Sequence, residues 1–162
     1  MTYKFCPKCG APMTECERDG VLRLSCQIEA CGFVHYDNPT PVVAAIVEHS
    51  DDVILVRSHG WPDEWYGLVT GFLERKEAPE VGVLREVKEE LGLDAELIGL
   101  VGVYPFAQMN QVIIAYHVRA HGEIKLGEEL AGFKSVSIDV LKPWPLATGL
   151  AVRDWLAARP VK

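Results

Sequence analysis

The clearest pattern in the chain is a pair of β-branched runs, 42–47 and 53–56, separated by the polar stretch Glu48-His49-Ser50-Asp51-Asp52. Continuous apolar runs of this length bounded by polar residues predict strands buried on both faces, joined by a turn. Residues 78–91 change to a helical period, with Pro79 tolerated in the first turn and Gly92 placed to end the helix. Residues 97–104, 112–119 and 133–138 read as further strands. Residues 147–158 read as an amphipathic helix marked by Leu150, Ala151, Asp154, Trp155 and Ala158. A mixed sheet with few helices, neither all-β nor regularly alternating, predicts an α/β sandwich.

The first 35 residues have no such period. Tyr36-Asp37-Asn38-Pro39-Thr40-Pro41 follows as a turn and linker, its two prolines opposing regular strand pairing. The expected organisation is a small module over 1–38 and a larger domain over 39–162.

All five cysteines lie in the small module: Cys6, Cys9, Cys16, Cys26 and Cys31. An odd number crowded at one end reads as a metal site with a spare thiol rather than a disulfide framework. Cys6-Pro7-Lys8-Cys9-Gly10 offers two thiolates to one ion, and Cys26 and Cys31, followed by Gly32, offer two more. Four thiolates suit structural Zn²⁺ and leave no open position for a substrate. The four-residue spacer of the second pair leaves Cys16 or His35 as substitute ligands, and adventitious thiols are the alternative to a metal site.

The net charge of −7 does not favour a polyanion such as duplex DNA. Within the module, Lys4, Lys8, Arg18 and Arg23 are offset by Glu15, Glu17, Asp19 and Glu29, so nucleic acid is not an expected partner. No apolar run approaches the roughly 18–20 residues of a membrane span. The start, Met1-Thr2-Tyr3-Lys4-Phe5-Cys6, lacks the apolar core of a signal peptide, so the expectation is a cytoplasmic protein.

Within the predicted helix, Glu89 and Glu90 fall about 60° and about 40° to either side of Glu86 at about 100° per residue. Val83, Leu84, Val87 and Leu91 form the adjoining apolar face. Like charges at this spacing destabilise a helix by roughly 0.2–0.5 kcal/mol per pair, and a divalent cation would offset that. Clustered carboxylates suit Mg²⁺ or Mn²⁺. A solvated acidic helix face is the alternative for E-x-x-E-E taken alone.

The wider stretch reads G-x5-E-x7-R-E-U-x-E-E-x-G-U, with U aliphatic, from Gly71 to Leu93, and every fixed position is filled. Over residues 40–158 the chain resembles the Nudix hydrolases. That resemblance implies an α/β/α sandwich and Mg²⁺-dependent cleavage of a phosphoanhydride in a nucleoside diphosphate linked to another group. Glu86, Glu89, Glu90 and the Gly71 carbonyl would be metal ligands, with Gly71 turning the loop. One glutamate would serve as general base, and Arg85 would pair with Glu77.

A zinc ribbon ahead of such a domain resembles the NADH pyrophosphatases, which implies a dinucleotide or ADP-ribose-like substrate and a homodimer. Their downstream S-Q-P-W-P-F-P-x-S motif survives here only as Pro105-Phe106 beside Tyr104, and Lys76 replaces the usual glycine before Glu77. Tyr104, Phe106 and Trp65 are candidates to stack a base, with the core as their other destination. Glu129 resembles a downstream glutamate that supplies a ligand or the base, or is a solvated charge. The rival reading is a nucleotide-sensing module whose ribbon docks a protein or RNA partner. A sensor would be expected to have lost carboxylates of the box, and none is lost.

Overall fold

The computed structural model describes residues 3–159, so Met1, Thr2 and residues 160–162 lie outside the description. The chain divides into two compact units between Asn38 and Pro39. Among the described residues no helix is long and apolar enough to cross a membrane.

The first unit is a three-stranded antiparallel sheet of β1 (Met13–Arg18), β2 (Val21–Cys26) and β3 (Val34–His35), in that order. Hydrophobic patterning does not foretell these strands, because they bury little: Val21 and Leu22 are exposed. The cysteine-bearing turns hold them instead. Gly10 and Gly32, each following a cysteine, take left-handed φ values of 75° and 66°, which lets the backbone curl around the sulfur atoms.

The second unit is built on β4 (Thr40–His49), β5 (Asp52–Ser58), β6 (Val69–Phe72), β7 (Asp94–Phe106), β8 (Gln111–His121) and β9 (Leu130–Ser137). The sheet order is β7-β8-β4-β5-β9, with β6 paired to β4 beside that path. β4 runs parallel to β8 and antiparallel to β5 and β6, so the sheet is mixed. Helices α1 (Pro79–Leu91) and α2 (Thr148–Ala157) cover its two faces. Strand alternation divides β4 between two cores. Val42, Ala44 and Ile46 pack with Ala151, Val152 and Trp155 of α2. Val43, Ala45 and Val47 pack with Val83, Val87 and Leu91 of α1. This is the expected α/β/α sandwich, and Gly92 closes α1 in the left-handed conformation, its N–H bonded to the Lys88 carbonyl at 3.0 Å.

Two expectations are corrected. Pro41 does not interrupt pairing: it sits within β4 opposite Val112 of β8. The Thr40 N–H points to β8, bonding the Asn110 carbonyl, so the missing Pro41 N–H belongs to the other edge, where pairing with β6 begins only at Val42. Gly71, expected to turn the loop, instead lies in strand β6, because Val69 and Gly71 pair with Ala45 and Val43.

Ile46 is fully buried at the centre of the α2-side core. Ile46→Ala is expected to lower the unfolding free energy by roughly 2–5 kcal/mol, read from urea denaturation midpoints. A change under 1 kcal/mol would show that this core is not tightly packed.

Candidate active site

Arg85, in the second turn of α1, ties the helix to the loop before it through one guanidinium. Arg85 donates from Nε and Nη2 to the two oxygens of Glu77, at 2.8 and 2.9 Å. Its Nη1 reaches Glu86 at 2.7 Å and Glu89 at 2.8 Å, and Nη2 also reaches the Phe72 carbonyl at 3.1 Å. Glu77 in turn accepts the Glu74 backbone N–H at 2.9 Å. A planar fork suits this work, since five fixed donors can span loop, strand end and helix at once. Arg85 and then the Glu74 N–H hold the Glu77 carboxyl down at about 2.

Gly71 does not turn the loop. It lies in β6 opposite Val43, and its φ is not among the positive ones. Its significance is close approach: a Cβ there would collide with the Glu86 carboxyl group. Glycine therefore leaves the volume that Glu86 fills. The left-handed residue of this loop is Lys76, with φ of 69°. The backbone keeps the conformation a glycine would favour, although a lysine stands there.

Burial pushes the Glu86 carboxyl above its ordinary value, with Arg85 opposing. Glu90 is only 9% exposed. Burial first, then the charges of Glu86, Glu129 and Glu89, raise it to about 8. Its Oε2 is buried with no hydrogen-bond partner. A buried carboxyl oxygen without a partner, among further carboxylates, fits a hard divalent cation better than it fits a dry protein interior. The three glutamates do not gather as tightly as the cysteines, because Arg85 lies between Glu86 and Glu89. Glu129 is exposed, and its charge reaches both Glu86 and Glu90.

A cavity of about 690 Å³ opens on the α2 side of the sheet, floored by Val42 and Ile113. Trp61, Trp65, Tyr66, Phe106, Met109 and Trp144 line it. Thr70 of β6 also lines it, while the next residue, Gly71, faces Glu86 on the opposite side. Phe106 and Trp65 thus stand where a ring could stack on them. Tyr104 does not: it is 8% exposed in the core, and its hydroxyl donates to Asp154 Oδ2 at 3.0 Å. Burial and that carboxylate push its phenol up to about 12. Trp61 and Tyr66 share with Trp65 the aromatic-rich run Trp61-Pro62-Asp63-Glu64-Trp65-Tyr66, a local signal that sequence reasoning missed, whereas nothing near Trp144 in the chain signals its place in the cavity.

In the first unit the sulfur atoms of Cys6, Cys9, Cys26 and Cys31 lie within 4.8 Å of one another. Two of the distances are 3.7 Å (Cys6–Cys31) and 3.5 Å (Cys9–Cys26). A tetrahedral ion with bonds of about 2.3 Å to sulfur needs edges of about 3.8 Å, so the donor set fits such an ion. Burial pushes Cys26 up to about 12. Four thiolates this close are stable only with a cation among them. Cys16 and His35 are outside the group.

Two outcomes follow from the loop. The Glu77 carboxyl is depressed in the fold, so the stability it contributes is present above the unfolded value of about 4.3 and disappears as pH falls toward about 2. Glu77→Gln should therefore lower the thermal midpoint at neutral pH, and the gap to wild type should narrow on acidification; a pH-independent gap would refute this. Lys76→Gly should raise the unfolding free energy by roughly 0.5–1 kcal/mol, since glycine adopts the left-handed conformation without steric cost.

The NUDIX domain model matches residues 38–155. The NAD-capped RNA hydrolase NudC of Stutzerimonas stutzeri (strain A1501) is 30% identical over 151 residues, which cover 92% of this chain and 53% of that protein. NudC of Pseudomonas aeruginosa (strain LESB58), also an NAD-capped RNA hydrolase, is 29% identical over 150 residues, 91% of this chain and 52% of that protein. The chain spans about half the length of these curated relatives. A crystal structure of a NUDIX hydrolase from Nitrosomonas europaea superposes with a TM-score of 0.75 at 26% identity, covering 86% of this chain and 80% of that one. An ADP-ribose pyrophosphatase from Streptococcus suis 89-1591 shares the fold, with a TM-score of 0.58 at 24% identity over 75% of this chain and 92% of that one. With the box complete and the matching model covering most of its length, the chain belongs to the Nudix family.

Proposed function

We propose that this protein is a Mg²⁺-dependent pyrophosphohydrolase that cleaves the phosphoanhydride of a dinucleotide of the NAD type, releasing a nucleoside monophosphate. The observation that carries the reading is the partnerless, buried Glu90 oxygen on a helix face shared with Glu86 and Glu89. The relatives named for hydrolysis of NAD-capped RNA support the substrate class.

Glu86, Glu89 and Glu90 would hold the ion, with the Gly71 carbonyl as a further ligand. A bound divalent cation supplies Lewis acidity to the phosphate oxygens. Arg85, fixed by Glu77, positions Glu86 and Glu89 and keeps their mutual repulsion bearable. One of the box glutamates, or Glu129, takes the proton of the attacking water. The water oxygen bonds to phosphorus as the bridging P–O bond breaks, and the leaving phosphate carries the electron pair away. The aromatic cavity, with Phe106 and Trp65, receives a base of the substrate.

Residues 1–38 serve as a zinc ribbon and residues 39–162 as the hydrolase domain, with Zn²⁺ on Cys6, Cys9, Cys26 and Cys31. No disulfide joins the five cysteines, which fits action in a reducing compartment.

Purified zinc-loaded protein with Mg²⁺ should release a nucleoside monophosphate from at least one of NADH, NAD⁺, ADP-ribose and NAD-capped RNA. Glu89→Gln and Glu90→Gln should each reduce kcat by on the order of a hundredfold or more. Silence on the whole panel in both Mg²⁺ and Mn²⁺, from folded protein, would sink the proposal.

A further inference from the structure

Counted along the chain, the four basic residues of the first unit are outnumbered by five acidic ones, but the strand register separates them. β1 and β2 pair without a break, from Met13 opposite Cys26 to Arg18 opposite Val21. Paired residues share a face and successive residues alternate. Glu15 and Glu17 therefore share one face with Leu22 and Leu24. Arg18 and Arg23 share the other with Thr14, Cys16, Val21 and Ser25, and no strand position on that face is acidic.

Arg23 also brings Tyr36 to this face. Its guanidinium stacks over the Tyr36 ring at 4.8 Å and donates to the Tyr36 carbonyl at 3.3 Å. Tyr36 remains 53% exposed and Val21 51%. The Arg23 Nε is buried without a partner. Of the nearby acids, Asp19 is in the turn, and the Asp37 carboxylate lies 3.6 Å from His35, which pairs with Leu24 on the acidic side.

We propose that the Arg18–Arg23–Tyr36 face of the ribbon binds single-stranded RNA, holding phosphates on the two guanidinium groups and a base against the tyrosine. An exposed ring braced by a stacked arginine presents a rigid π-surface, and sequence-tolerant binding of single strands uses that combination. A whole-chain charge of −7 does not oppose it, because screening confines surface fields to about 10 Å. The proposal deepens the reading of a dinucleotide substrate, in which the RNA would be the body attached to that dinucleotide.

The test is fluorescence anisotropy of the full chain, zinc-loaded, with a labelled uncapped single-stranded RNA about a dozen nucleotides long, over a salt series. Arg18→Gln combined with Arg23→Gln should weaken binding and lower the slope of log K against log salt by about 1.4, at roughly 0.7 per phosphate contact. Tyr36→Ala should weaken binding roughly tenfold through lost stacking. Glu15→Gln with Glu17→Gln, on the opposite face, should change affinity by less than about twofold.

Zinc content reports folding of each variant, and Arg18→Gln alone, at the exposed strand end, tests the face without touching Tyr36. An unaltered affinity and salt slope in zinc-loaded Arg18→Gln/Arg23→Gln would overturn the proposal. So would equal binding of a duplex, whose stacked bases cannot reach Tyr36. Turnover of free NAD⁺ by the wild type is the separate arm: its absence would count against the proposed function, while the RNA-binding result would stand.

Discussion

A strand buried on both faces sets the frame for the larger unit. β4 is paired to β8 along its length, to β6 at its start and to β5 at its end, and residues 42–47 are almost wholly removed from water. Such a strand has no face to spare for polar side chains, and any slip of one residue would exchange its two cores. Its register is therefore strongly specified, and the register places Gly71 opposite Val43. From there the rest of the site follows: Gly71 leaves room for Glu86, and α1 packs its apolar face on Val43, Ala45 and Val47.

The helix that results carries a local conflict. Three carboxylates on neighbouring positions repel one another, and one is buried enough to stand near 8. Arg85 relieves part of this by bonding Glu86 and Glu89 while gripping Glu77 in the loop. It leaves Glu90 unrelieved. Local charge repulsion of this kind costs stability, and the fold nevertheless keeps every member of the set.

The smaller unit meets a different limit. Fewer than forty residues enclose too little apolar surface to hold a sheet by burial, so the sulfur cluster takes over that task. Freed from packing, the sheet can expose both faces. One carries carboxylates and leucines, the other arginines and a tyrosine, and a chain-wide charge count hides that division.

The box from Gly71 to Leu93 was legible in one dimension because its fixed positions match the family motif one by one, and the strands of the central hairpin because they are apolar runs. The cysteine set was legible because thiol pairs on tight turns bind locally. The sequence by itself thus determined the family, the layered fold and the four cysteines that cluster. Only the tertiary structure decided what depends on residues far apart in the chain. It drew Tyr104 into the core by a bond to Asp154, fifty positions away, and gathered Trp61, Trp65, Phe106 and Trp144 around one cavity. It also turned Gly71 from a loop hinge into a space for Glu86. Periodicity reports which face a residue occupies, whereas the partner across that face is set by strand pairing and helix docking, which no local pattern encodes.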